Sequence, residues 1–140
     1  MCMSKVLIVE DDESWGRMIA LALRSGGHDS VLASDGEMAL ELMRTNEVDL
    51  VITDLAMPVL NGLRLIRAIR ASGDTIPIIA VSGKNADQLV LAEDYGANAA
   101  ISKPFDGDEL LALVERIVDD NRSDWASAWI HPAFGSVEDR

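Results

Sequence analysis

Four short aliphatic runs, each closed by a polar or charged residue, constrain this chain more than any other feature. They are Val6-Leu7-Ile8-Val9 before Glu10, Val48 to Thr53 before Asp54, Pro77 to Val81 before Ser82, and Ala99-Ala100-Ile101 before Ser102 and Lys103. Runs this short and rich in β-branched residues read as strands rather than helices. Their near-continuous hydrophobicity predicts burial on both faces, as in a parallel sheet. His28 to Ala33 reads as a further short strand. Segments with helical spacing lie between the strands. Trp15, Met18, Ile19, Ala22 and Leu23 share a face over Ser14 to Ser25, and Met38, Ala39, Leu42 and Met43 do so over Glu37 to Thr45. Asn61-Gly62 opens a third helix to Ala71, with Leu65, Ile66 and Ile69 inward. A fourth runs from Asn85 to Tyr95 and a fifth from Asp106 to Asp120. Strand–helix alternation repeated five times predicts an α/β fold, a parallel sheet with right-handed crossovers and helices on both faces.

The bulk properties narrow the function classes. A chain of 140 residues, 49% of them hydrophobic, suits one domain with a single sizeable core. The formal net charge of −12 argues against a nucleic-acid-binding surface, which needs clustered basic residues. No apolar run approaches a membrane span, and Met1 to Lys5 is too short and polar for a signal peptide, so a cytoplasmic protein is expected. One cysteine, Cys2, precludes an internal disulfide framework and, with only His28 and His131, disfavours a thiolate–imidazole metal site.

The C-terminal ends of parallel strands lie along one edge of the sheet, where open α/β folds bind ligands. That edge would gather Glu10, Asp11 and Asp12 after the first strand, Asp54 after the third, Ser82 after the fourth and Lys103 after the fifth. Singly, such residues cap helices or face water, and Asp12 reads as the cap of the first helix. Together they describe a chemistry. Clustered carboxylates repel one another and require a cation, and all-oxygen donors suit Mg²⁺. A carboxylate can also act as a nucleophile and form an aspartyl-phosphate. Phosphoryl transfer needs the charge on the equatorial oxygens neutralised. Mg²⁺ can serve one oxygen, Lys103 a second, and the Ser82 hydroxyl with nearby backbone N–H groups a third.

With these motifs the sequence resembles the receiver domain of bacterial two-component response regulators, in particular the stand-alone CheY-like kind. The matching segments are Val6 to Asp12, Asp54-Leu55-Ala56-Met57-Pro58 with Gly62, Val81-Ser82-Gly83, and Ser102-Lys103-Pro104-Phe105, within residues 5–120. The resemblance implies a flavodoxin-like (βα)5 three-layer sandwich with strand order 2-1-3-4-5. It implies that Asp54 accepts a phosphoryl group from a sensor histidine kinase or phosphotransfer protein and that the change switches binding to a downstream protein target. It further implies that Glu10, Asp11, Asp54 and the Ala56 carbonyl hold Mg²⁺, that Lys103 pairs with the phosphate, and that Lys103–Pro104 is a cis peptide. Such a protein is a regulator that catalyses only its own phosphorylation and dephosphorylation. The sequence departs from the family pattern in having Ala100 where an aromatic residue is common, Ser82 for the commoner Thr, and Ala56 and Lys84 at positions that tune phosphate lifetime.

Other readings fit less well. A phosphohydrolase of the haloacid-dehalogenase type needs a second acid two residues beyond its nucleophile, where this chain has Ala56. A flavin or other phosphate-binding module needs a Ser/Thr/Gly-rich loop after the first strand, here Glu10-Asp11-Asp12-Glu13. A degenerate receiver used as an interaction scaffold would lack the acceptor or the lysine, and both are present. Residues 1–120 are expected to form the receiver domain and 121–140 a C-terminal tail with no output module after it. In the tail Trp125 and Trp129 are spaced for one helical face, Ser123 or Asp124 can cap a short helix, and Pro132 limits it to one or two turns. Two readings remain for this tail: it packs on its own domain, or it docks a partner or a second copy in a homodimer.

Overall fold

The computed structural model describes residues 4–57, 61–83 and 86–130. Ten elements alternate strictly: β1 Lys5–Val9, α1 Glu13–Ser25, β2 Asp29–Ala33, α2 Gly36–Thr45, β3 Leu50–Asp54, α3 Gly62–Ala71, β4 Ile78–Ser82, α4 Ala86–Tyr95, β5 Ala99–Ser102 and α5 Gly107–Ile130. The strands form one parallel sheet in the order β2-β1-β3-β4-β5. This is the flavodoxin-like three-layer sandwich expected from the sequence.

Strand periodicity divides the core in two. Val6 and Ile8 point to one face, joined by Leu50, Ile52, Ile79 and Val81, and meet Ile19 and Leu23 of α1 and Leu110 and Val114 of α5. Leu7 and Val9 point to the other face, where Val51, Ile78 and Ala80 meet Ala39, Leu65, Ile66, Ile69 and Ala92 of α2, α3 and α4. Every residue of β3 and β4 is buried, which explains why those runs show no polar alternation.

Local chemistry sets the helix starts. The Asp12 side chain accepts from the backbone N–H groups of Ser14 and Trp15, as its cap assignment requires. Asp35 caps α2 and Asn61 caps α3 in the same manner. Asp106 precedes α5 rather than opening it. Its carboxylate accepts from the Glu109 N–H at 2.8 Å, and the Glu109 carboxylate accepts from the Asp106 N–H at 3.0 Å, a reciprocal capping box.

The largest departure from the expected elements is α5, which continues past Asp120 to Ile130. Asp119 to Asp124 interrupts the apolar face, but no Gly or Pro occurs between Asp108 and Ile130, so nothing breaks the backbone ladder. Ser123 and Asp124 therefore lie inside a helix and do not cap a new one. The side chains of Trp125 and Trp129, and the segment with Pro132, lie outside the described residues.

One glycine is demanded by packing. A Cβ on Gly62 would overlap the Asp54 carbonyl oxygen and stand 2.7 Å from Leu55 Cα, both backbone atoms that cannot swing away. The start of α3 is thus pressed against the end of β3, and the Gly62 N–H donates to the Leu55 carbonyl at 3.1 Å. Gly62→Ala is expected to lower stability in urea unfolding by about 2 kcal/mol or more, since backbone must move to admit the methyl group.

Candidate functional site: an acidic cluster with one half-buried lysine

The direction of winding reverses between β1 and β3, which lie side by side in the sheet, and the acids collect at that switch point. Glu10 follows β1 directly, and its N–H donates to the Ala33 carbonyl at 2.9 Å, which holds it beside the end of β2. Its carboxylate accepts from the Asp12 N–H at 3.1 Å. Asp54 is the last residue of β3 and is only 6% exposed; Glu10 is 3% exposed, whereas Asp11 faces solvent. One carboxylate oxygen from each of Glu10, Asp11 and Asp54 lies within 4.8 Å of the other two.

Lys103 reaches this cluster from the end of β5. Its Nζ lies 3.1 Å from Glu10 Oε1 and 3.7 Å from Asp54 Oδ2, so one ammonium faces two buried carboxylates. The Glu10 contact is a close ion pair without hydrogen-bond alignment, because Oε1 has no aligned donor. The Lys103 N–H donates to the Ser82 carbonyl at 2.8 Å, tying the lysine to β4. Lys103–Pro104 is cis, as the motif implied. Ser82 is buried beside Asp54: Asp54 pairs with Val81 across the β3–β4 ladder, and Ser82 is the next residue. Ala56, two residues after Asp54, is exposed, and its N–H makes a long 3.5 Å contact to Asp54 Oδ1. The structure therefore brings Glu10, Asp11, Asp54, Ala56, Ser82 and Lys103 to one edge. Pro58 and Lys84 lie outside the described residues.

Sequence periodicity placed Trp15 on the apolar face of the first helix and offered no contact with the lysine. Lys103 Nζ sits 4.9 Å from the Trp15 ring centroid, and the Trp15 and Phe105 rings pack at 4.9 Å. The electron-rich indole face adds a favourable surface for the ammonium and shields it from water. An aromatic residue one turn into the helix that follows an acid run was the available signal. Ala100 packs among the side chains of the α2–α4 layer.

Burial holds the Glu10 carboxyl well above its ordinary value, at about 7. Desolvation is the largest cause; the hydrogen bond from Asp12 opposes it, repulsion from Asp54 adds to it, and Lys103 opposes it. Three hard oxygen donors that repel one another are the donor set for a hard divalent cation.

The response regulator receiver domain family model matches residues 6–115. The response regulator ArlR of Staphylococcus saprophyticus is 40% identical over 117 residues, covering 83% of this chain and 53% of that protein. The DNA-binding response regulator MtrA of Mycolicibacterium paratuberculosis is 37% identical over 111 residues, covering 79% of this chain and 49% of its own. The chain spans about half the length of these curated relatives. Among solved structures, the Francisella response regulator 1452 receiver domain superposes with a TM-score of 0.79 at 29% identity, covering 84% of this chain and 98% of that one. Chemotaxis response regulator CheY4 of Vibrio cholerae gives a TM-score of 0.77 at 28% identity, covering 83% and 99%. The chain belongs to the response regulator receiver family, the receiver domain of two-component phosphorelays.

A raised carboxyl pKa has a definite consequence for stability. Folded Glu10 holds its proton more tightly than unfolded Glu10, so between pH 4.5 and about 7 the folded state binds more protons. Relative to Glu10→Gln, the metal-free protein in EDTA should lose stability as pH rises through that window and level off above about 7. Urea unfolding at several pH values measures this; a flat difference would show that Glu10 is not perturbed.

Proposed function

We propose that Asp54 is the phosphoacceptor of a Mg²⁺-dependent receiver, taking its phosphoryl group from the histidine of a sensor kinase or phosphotransfer protein. The observation that carries this reading is the position of the Asp54 carboxylate, close to Glu10 and Asp11 oxygens and 3.7 Å from the Lys103 ammonium. In the transfer an Asp54 oxygen attacks phosphorus in line, an O–P bond forms, and the P–N bond to the donor imidazole breaks. Glu10, Asp11, Asp54 and the Ala56 carbonyl would hold Mg²⁺, which when bound neutralises charge on a phosphoryl oxygen.

The remaining steps belong to side chains of this chain. Lys103 supplies a second cation and pairs with the phosphoryl group, and the Ser82 hydroxyl donates to a further oxygen. Asp54, buried under the start of α3, presents its carboxylate at the edge while its backbone stays fixed. Ala56 offers no side chain to act as a general acid toward an attacking water, which supports a regulator over a hydrolase. With Ala100 small, the change on phosphorylation passes through Ser82 and the segment leading to α4. Its output is altered affinity for a downstream protein in the cytoplasm. The described residues contain no helix long and apolar enough to cross a membrane.

Acetyl phosphate tests the assignment without a cognate kinase. With Mg²⁺ present, the intact protein should gain the mass of one phosphoryl group, and EDTA should prevent the gain. Asp54→Asn keeps the size of the side chain but removes the nucleophile, and should show no gain. A phosphorylated Asp54→Asn protein would move the acceptor elsewhere.

A further inference from the structure

The chain carries 24 acidic and 12 basic side chains, yet α3 has no acid and three arginines, Arg64, Arg67 and Arg70. Arg70 is occupied structurally: its guanidinium donates to the Gly96 and Asp74 carbonyls and to the Asn98 side chain. Arg64 and Arg67 are exposed, and among the described residues neither meets a carboxylate within 4 Å. Both line an open groove of about 800 Å³ over α3, between α2 and α4. Tyr95 forms one wall, with the Arg67 guanidinium 5.8 Å from its ring centroid, and Ala68 and Ala71 lie along the helix between the walls. Glu37 on α2 is the acid at the margin.

We propose that this groove docks an acidic peptide segment of a partner protein, its carboxylates paired with Arg64 and Arg67 and an apolar side chain set against Tyr95 and Ala68. The proposal goes beyond the phosphoacceptor reading and does not depend on it. Charge complementarity selects the occupant. Planar guanidinium forks match carboxylates in bidentate geometry. At physiological ionic strength charges are screened over about 8 Å, so a local pair of unpaired arginines outweighs the distant negative surface. The arginine already stacked near Tyr95 loses less freedom on binding than a free side chain would. A groove of this size, open along a helix, suits an extended or helical segment.

Fluorescence anisotropy with a fluorescein-labelled peptide of alternating Glu and Leu, about ten residues long, tests this at low salt. Wild-type protein should bind the peptide, and binding should weaken as salt rises. The double variant Arg64→Glu, Arg67→Glu should bind at least about tenfold more weakly, as expected when charge-assisted pairs become repulsive. Its far-UV circular dichroism and urea midpoint report that it remains folded, and Arg64→Ala with Arg67→Ala provides a milder second variant. The same peptide with Lys for Glu should show no dependence on these substitutions. Equal binding of the acidic peptide by wild type and both variants, or none by wild type up to about 1 mM, would overturn the proposal. Sedimentation of the same proteins covers the other occupant: self-association lost in the variants would assign the groove to a second copy and also overturn it.

Discussion

Two buried carboxylates, Glu10 and Asp54, face a single ammonium, and the functional edge of this protein depends on that arrangement. Burial away from water, with repulsion from Asp54 added to it, makes the Glu10 carboxyl resist ionisation, and its pKa is raised to about 7. Lys103 offsets part of that rise. Its place is set from several sides: a backbone hydrogen bond to Ser82, the ring of Trp15 over its ammonium, and Phe105 behind that ring. A phosphoryl group on Asp54 would add negative charge where one cation already stands. A Mg²⁺ ion beside Asp11 would supply the rest of the compensation, so the site is built for charge to arrive.

The sheet exists, from this viewpoint, to hold four strand ends rigidly in line. β1, β3 and β4 are buried almost throughout, and their side chains alternate between two separate apolar layers. Displacing one strand end would disturb both layers, which fixes Glu10, Asp54 and Ser82 relative to one another. The close approach of Gly62 to Asp54 extends this rigidity to the start of α3. The helix with the arginine groove therefore begins against the end of β3 itself.

The strands and the helices α1 to α4 were legible because their signals are local. Aliphatic runs such as Ile78 to Val81 and caps such as Asp12 depend on neighbours in sequence. The clustering of the candidate site residues was legible for a different reason: parallel topology converts a position in sequence, the end of a strand, into a position in space. Other features depend on contacts between distant elements. The aliphatic spacing of α3 showed its buried face, Leu65, Ile66 and Ile69, but the groove on its exposed face exists only because α2 and α4 flank it. The contact of Trp15 with Lys103 joins α1 to the end of β5. The resemblance assigned Lys103 to a phosphate, whereas the structure also pairs it with Glu10. The extension of α5 was missed because a break in apolar periodicity was read as a helix end, although a chain without Gly or Pro can remain helical through it.

A double-mutant cycle tests the central interaction most directly. Glu10→Gln, Lys103→Met and the pair are compared with wild type by urea unfolding in EDTA at pH 8, where Glu10 is ionised because its pKa lies at about 7. The account predicts a coupling of about 1 kcal/mol or more between the two sites, since a buried carboxylate meets a half-buried ammonium at close range. Effects that simply add, with coupling within about 0.3 kcal/mol of zero, would show that the lysine does not stabilise the carboxylate cluster.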